Sequence, residues 1–511
     1  MTTAIAWAVA VVVASPAVYL LIRASEGSGA WTVLADTRTI GLIARTLLLA
    51  LTVTVGALIV GVPLAYWTTR CRLPGRGVLV VLLSLPLAIP SYLLALTAIA
   101  FAGPGGVFAS LVGIRLPVAS GFGAATAVLI ISTYPLVFLT TRSALKRLDV
   151  SMIEASRTLG VSHQQTFRRL ILPSIRPAAL AGGILVALYV IHDFGAVTLL
   201  RFDTFTRSIF VAYQGSFDRQ RAAALGVMLL VIALTVAVLG ANVRGASVGG
   251  RLHSSAPRPA EPVELGTLPR AGALTACWMI VASGVLLPVG VLVYLMARSA
   301  RGVDLAAAFR GTGSSLLVAA VSTVVIVTAA VPVARTLSAA RRRTAIALES
   351  LASVGYALPG LVVALSLVFF ATRVALGIYQ TMPLLVLAYL ILFLPQATAG
   401  VRASVDQLPP ALPEASRTLG AGPVRTLRRV DLPLMKPGLL AGAGLVMLTI
   451  LKELPATIIL SPPGFRSLAM RVYDESIAAR YDQAALPALL ILAISSIPLA
   501  GLLLRERGAK L

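Results

Sequence analysis

Glu154-Ala155-Ser156-Arg157-Thr158-Leu159-Gly160, running on to Leu172-Pro173, returns 260 positions later as Glu414-Ala415-Ser416-Arg417-Thr418-Leu419-Gly420, running on to Leu432-Pro433. The same offset pairs Arg168-Arg169 with Arg428-Arg429, Pro177 with Pro437, and Ala181-Gly182 with Ala441-Gly442. It also pairs Pro135 with Pro395 and Arg142 with Arg402. Pro63 and Pro90 recur as Pro332 and Pro359 at a slightly longer spacing, which implies an insertion between the flanking segments. The chain is therefore a duplication, and its best-kept stretch is also its most polar one. A polar loop repeated in an apolar protein reads as an interface rather than a connector.

The surroundings of that loop are apolar: 58% of the 511 residues are hydrophobic and 12% are charged, where a soluble domain carries roughly 25% charged residues. Runs near 20 apolar residues signal membrane spans. The formal charge of +24 invites a nucleic-acid reading. That reading fails because the arginines sit in short loops between apolar runs, where positive charge sets topology. Cys71 falls in a loop and Cys277 in a span, so no disulfide framework or zinc site is available. His163, His192 and His253 are scattered without metal-ligand spacing.

Apolar runs lie near 4–21, 40–68, 77–102, 122–140, 177–200 and 222–241. The first has no Lys or Arg before it, which fits a cleavable signal poorly, and it is read as a retained span. A stretch rich in Gly, Ser, Pro and Arg, 242–270, reads as a cytoplasmic linker. Six further runs follow near 271–296, 312–335, 348–371, 381–400, 438–460 and 484–504. With both repeated loops on the inner side, Arg70, Arg72, Arg76, Arg341 to Arg343, Arg505, Arg507 and Lys510 also face inward. This follows the positive-inside rule and predicts both termini in the cytoplasm of a multi-pass cell (plasma or inner) membrane protein. Arg23 and Arg38 mildly violate it. Equal numbers of spans precede each loop, so the repeats are parallel and imply a pseudo-two-fold axis along the membrane normal.

Within the loop, Ser151 and Glu154 form a capping box, and Gly160 suits the left-handed turn that stops a helix. Ser162 and Gln165 form a second capping box, opening a helix that is expected to break at Leu172-Pro173. In the second copy Pro413 is expected to start the first short helix, Gly420 to stop it and Pro423 to start the next. A helix, a sharp turn and a second helix at the membrane face result. An amphipathic hairpin resting on lipid has the same local features.

Glu-Ala-Ser-x-x-x-Gly, nine residues, then Leu170-Ile-Leu-Pro173 or Val430-Asp-Leu-Pro433 resembles the EAA loop of binding-protein-dependent ABC importer permeases. The resemblance implies an all-α membrane protein of two parallel-repeat six-helix permease domains, about 12 transmembrane helices, each with a cytoplasmic coupling-helix loop. The domains are 1–241 with coupling loop 141–176 and 271–511 with coupling loop 401–437. It further implies that Glu154, Ala155, Gly160, Glu414, Ala415 and Gly420 contact ATPase subunits. Serine replaces the family's second alanine in both copies. The four lysines follow no phosphate-loop pattern, so this chain is expected to bind no cofactor and to be a translocation subunit, not an enzyme. The resemblance implies that ATP and Mg are used by a partner, in two copies, and that an extracytoplasmic solute-binding protein delivers the cargo. Lipid is a further partner; nucleic acid is not.

Asp193 and Glu453 occupy equivalent places in the spans after each loop, roughly 22 Å from the inner end at the ~1.5 Å helical rise. Ionisable groups in a membrane usually face an interior path, so both are candidates for transient solute or gate contact, with local pairing to His192 and Lys452 as the alternative. His192-Asp193-Phe194-Gly195-Ala196-Val197 and Lys452-Glu453-Leu454-Pro455-Ala456-Thr457 resemble ferric-iron permeases of this superfamily, and hard oxygen ligands suit ferric iron. Thiamine, polyamine and phosphonate permeases share the architecture. The rival from another class is a secondary transporter with parallel repeats, against which the doubled EAA loop argues. Outer loops 201–221 and 461–483 mix aromatics with charge, as a docking surface or an ordinary solvated loop would.

Overall fold

The computed structural model describes residues 2–25, 36–103, 105–115, 119–148, 151, 154, 156, 158–216, 218–248, 263–299, 302, 304–409 and 411–508. Their regular elements are helices, plus one isolated bridge between Cys71 and Val263. Among these residues, 10 helices are long and apolar enough to cross a membrane, and 11 if one bent pair counts as a span. The chain is a multi-pass membrane protein.

The bent pair corrects the run expected at 348–371. Arg342–Gly355 and Gly360–Val374 meet at 89°, because Pro359 stands where a continuous helix needs an N–H and room for a ring. Pro359 instead caps the second helix with φ −59 and ψ 139. Pro90 does the same for Ser91–Ala102 with φ −59 and ψ 142, so the run expected at 77–102 is also broken, after the short helix Arg76–Ser84. Pro173 acts otherwise. The chain widens into a π-turn over Phe167–Ile171, in which the Leu172 N–H donates to the Phe167 carbonyl, and the helix continues through the proline to His192. Leu427–Asp431 repeats this before Pro433. The expected break at Leu172-Pro173 is therefore a wide turn, which moves the carbonyls a proline ring would strike.

Two compact units form, and they interleave along the chain. One gathers Leu34–Val211, Val231–Val303 and Val472–Leu511. Its centre is Thr37–Arg70, Gly121–Arg147 and Leu172–His192 packed mutually. Gly182 permits one of these crossings: a Cβ there would lie 2.8 Å from the Val137 Cα. Helix Leu287–Ala297 packs against Ser91–Ala102 and Tyr481–Gly508 in this unit, burying Val291 with Ala100 and Val107.

The other unit gathers Met1–Val33, Ala212–Leu230 and Asp304–Arg471. Leu305–Ala339, Met382–Val405 and Leu432–Leu451 form its centre. A Cβ on Gly400 would stand 3.0 Å from the Gly442 Cα, the close backbone approach that small residues allow between membrane helices. The first helix, Thr2–Ser25, belongs here. Ala6 and Ala10 are fully buried against Val333, Leu337, Leu348 and Ala352, and the Tyr19 hydroxyl donates to the Phe369 carbonyl at 3.1 Å.

The stretch expected as a linker, 242–270, is structured at both ends. The preceding helix runs to Val248, the next begins at Thr267, and residues 249–262 lie outside those described. Val263 donates to the Arg70 carbonyl at 2.7 Å and accepts from the Arg72 N–H at 3.1 Å, with Arg72 and Glu264 paired at 2.7 Å beside them.

Candidate functional site

Both repeated loops end their first helix in the same way. Gly160 takes φ 73 and Gly420 φ 79, and the following amides, Val161 and Ala421, each donate to the carbonyl of Ser156 or Ser416 at 3.0 Å. That bond closes a helix end through a left-handed residue. In the second copy the helix is Ala411–Thr418, so Pro413 sits at its third position rather than at its start. Its ring still falls in the first turn, where no helical N–H is lost. The helix after it opens at Pro423. In the first copy Glu154 is helical and exposed, whereas Ala155 lies outside the described residues. Residues 152 and 153 do too, whereas Ser151, expected to cap this helix, is itself helical. Glu414 is helical with its side chain outside the described set, and Ala415 is exposed. Of the second capping box the serine half is present: Ser162 Oγ accepts from the Gln165 N–H at 3.3 Å.

Two features of these loops escaped the sequence reading. The first is a hydroxyl clasp. Ser156 and Thr166 stand 3.1 Å apart, and Ser416 and Thr426 3.0 Å apart. In each copy the clasp ties the helix before the glycine to the helix after it. This gives a role to the serines that replace alanine. The second is the presentation of leucine. Leu159 is 80% exposed and Leu419 87%, each immediately before its glycine; the arginines of the following π-turn are exposed as well. The same large apolar side chain is thus held in the open at the same place in both copies.

The π-turns are joined to the bundle by unlike contacts. In the first copy Tyr66 meets Phe167 edge-on, ring centroids 4.9 Å apart. In the second, Arg335 of helix Leu305–Ala339 pairs with Asp431 at 2.5 Å.

Asp193 and Glu453 lie in breaks rather than within helices. The helix after the first loop ends at His192, and Gly195–Leu199 starts a new one; the second copy breaks between Leu451 and Pro455. Each acid caps the helix that follows. Asp193 Oδ1 accepts from the N–H groups of Ala196 at 3.1 Å and Val197 at 3.3 Å, Oδ2 accepts from the Ser91 hydroxyl, and the residue is buried. Thr206 donates to the Asp193 carbonyl at 2.6 Å. Glu453 accepts from the N–H groups of Ala456 and Thr457, both at 3.1 Å, and from the Thr457 hydroxyl at 2.9 Å. Tyr389 lies 2.7 Å from that hydroxyl. A cavity of about 10 Å³, lined by Ser315, Tyr389, Glu453, Thr457 and Ser467 among others, adjoins it; this is room for about one water. Helix N-termini and hydroxyls thus supply the donors that a carboxylate in an apolar setting needs.

Of the aromatic and charged residues expected on the outer loops, Tyr473 is buried and packs on Phe194 at 5.8 Å between centroids. Asp218 is exposed and accepts from the Arg221 N–H at 3.0 Å.

Comparison with known proteins matches residues 57–246 and 326–504 to the family described as "Binding-protein-dependent transport system inner membrane component". The matched segments leave out the first helix of the chain and the pair Thr267–Ala297. The Fe(3+)-transport system permease protein FbpB 2 of Haemophilus influenzae is 31% identical over 490 residues, covering 94% of this chain and 94% of that protein. A probable ABC transporter permease protein of Sinorhizobium fredii, y4fN, is 28% identical over 486 residues, 85% of this chain and 82% of that one. The sulfate transport system permease protein CysT of Salmonella typhimurium is 28% identical over 224 residues, 42% of this chain and 80% of that protein.

Proposed function

Because this chain belongs to the family of binding-protein-dependent transport system inner membrane components, we propose that its two loops are the sockets of two ATPase subunits and that its cargo is ferric iron. The chain is the permease subunit of an ABC-type importer, with two membrane-embedded repeats; it is a transport component, not an enzyme. The observation that carries the socket reading is the doubled presentation of Leu159 and Leu419 beside a helix stopped by a left-handed glycine. Both sockets face the cytoplasm, in domains 1–241 and 271–511. Glu154, Ala155, Gly160, Glu414, Ala415 and Gly420 form the contacts. A loaded solute-binding protein docks on the opposite side, ATP closes the two partner subunits, and the loop helices carry that closure into the spans.

The iron reading is supported by the ferric-iron permease of Haemophilus influenzae, similar along nearly the whole chain, and by the residues around Asp193 and Glu453. Both carboxylate oxygens of each acid are engaged: Glu453 caps the next helix with both, and Asp193 caps with Oδ1 while Oδ2 accepts from the Ser91 hydroxyl. We assign them to holding the shape of the path where cargo passes. Permease, ATPase and binding protein purified together and placed in vesicles should take up radiolabelled ferric iron when ATP is enclosed with the ATPase. Uptake of sulfate or thiamine but not iron would sink the cargo assignment, and full ATPase association after disruption of both loops would sink the sockets.

A further inference from the structure

Each loop meets the bundle at its π-turn, and the partner comes from the span that carries Pro63 or Pro332. The spacing that relates those prolines relates Tyr66 to Arg335, and the loop spacing relates Phe167 to Leu427 and Ile171 to Asp431. One place in the fold is therefore built in two chemistries. The first copy uses Tyr66 against Phe167 with Ile171 buried beneath the turn. The second replaces the isoleucine by Asp431, only 2% exposed, and the tyrosine by Arg335, whose side chain is 30% exposed.

An ion pair with a buried member is a poor stabiliser, since desolvation offsets most of the attraction and an apolar pair of similar volume does as well or better. The first copy shows that an apolar pair fits this joint. Asp431 is moreover without a hydrogen-bond donor of good geometry among the described residues, although the Arg335 guanidinium lies 2.5 Å away. A use attested for buried ionic groups is to fix one register between two elements, and that is the use we infer for this joint. Asp431 closes the π-turn that leads directly into helix Leu432–Leu451, and Arg335 lies in the last turns of Leu305–Ala339. The joint therefore fixes the second loop to two of the three central helices of its unit.

We propose that Arg335 and Asp431 are positioning residues that make the second loop the tightly steered one, so that the importer's two ATPase contacts are mechanically unequal. This rests on the loops being ATPase sockets. Closure of the ATPase at the second loop moves Leu305–Ala339 and Leu432–Leu451 together through the ion pair. At the first loop the aromatic contact lets the turn shift against Thr37–Arg70.

The test uses the complete complex in vesicles, with ATP hydrolysis and uptake measured on the same preparation. Asp431→Asn should keep the ATPase bound and basal hydrolysis present, while uptake per ATP falls about tenfold, the size of a typical coupling between sites. Arg335→Gln should be worse for assembly than Asp431→Asn, because it strands a buried carboxylate, whereas Arg335 alone can extend to water. The exchanged pair Arg335→Asp with Asp431→Arg should recover most of the uptake per ATP. The triple variant Arg335→Tyr, Leu427→Phe, Asp431→Ile copies the first joint. It should restore thermal stability while uptake per ATP stays low. Full recovery of uptake per ATP by that triple variant, or an unchanged ratio in Asp431→Asn, would overturn the proposal. Failure of the unaltered chain to retain the ATPase would instead overturn the socket reading on which it rests.

Discussion

The Ser91 hydroxyl donates to the Asp193 carboxylate, tying the start of one helix to the break in another. At the equivalent place in the second copy the partners are Gly360 and Glu453, and a Cβ on Gly360 would stand 2.8 Å from Glu453 Oε1. The two copies have solved one packing problem with opposite assignments of bulk. A short acid meets a serine, and a longer acid meets a bare backbone.

Exchanging these solutions one residue at a time should fail. Gly360→Ser places its side chain on the Glu453 carboxylate and should lower thermal stability by about 1–3 kcal/mol, the usual range for overpacking. Gly360→Ser with Glu453→Asp recreates the first copy's pair and should recover most of that loss. Melting of the purified chain in detergent measures the cycle. Equal stability of the single and double variants would show that the residues do not interact.

The loop glycines have open space around them: among the described residues, and apart from the chain neighbours, no atom lies within 4 Å of a Cβ built on Gly160 or Gly420. Only their left-handed backbone is demanding. Gly420→Ala should therefore cost roughly 1–2 kcal/mol locally, with Gly420→Asn milder and Gly420→Val worse. Retention of the ATPase during purification should follow the order Gly, Asn, Ala, Val. A side-chain clash with the partner would instead order the variants by size.

Loss of one clasp hydroxyl should be a small effect. Ser416→Ala removes the contact to Thr426 and should weaken the loop by about 0.5–1.5 kcal/mol, read as faster hydrogen exchange over 411–426 with uptake only modestly reduced. Exchange rates unchanged over that segment would deny the clasp a role.

Cys71 offers a chemical probe of the segment where Val263 pairs with the chain. It is fully buried, and burial pushes its thiol up to about 11, with Arg76 pulling the other way. The thiolate is the reactive form, so alkylation near pH 7 should be slow in the folded chain. It should accelerate about tenfold per pH unit as the medium approaches that value, and also on unfolding. Rapid labelling at pH 7 would place the thiol in water.

The sequence exposes the duplication, the membrane class and the loop chemistry, because those rest on identities at fixed spacing and on hydropathy. It hides the breaks at Pro90 and Pro359, since an apolar run scores the same whether the helix within it is straight or turned by 89°. Asp193 and Glu453 stand out as acids in apolar runs, yet their partners, Ser91, Thr206 and Thr457, are distant or unremarkable in the chain. The ion pair at the second π-turn left a readable trace: an aspartate where the other copy has Ile171, and an arginine alone in an apolar run. Matching the copies residue by residue finds the acid, but only the packing of Leu305–Ala339 on the turn supplies its partner.

The membership of Thr2–Ser25 in a unit completed by Asp304–Arg471 has a consequence for biosynthesis. Ala6 and Ala10 seat against Val333, Leu337, Leu348 and Ala352, all of which leave the ribosome hundreds of residues later. At ~5–20 residues per second, Thr2–Ser25 waits roughly 15–60 s in the bilayer for its surface to be claimed. A lesion in Leu305–Ala339 or Arg342–Ala357 thus uncovers a face of Thr2–Ser25 that was made long before them.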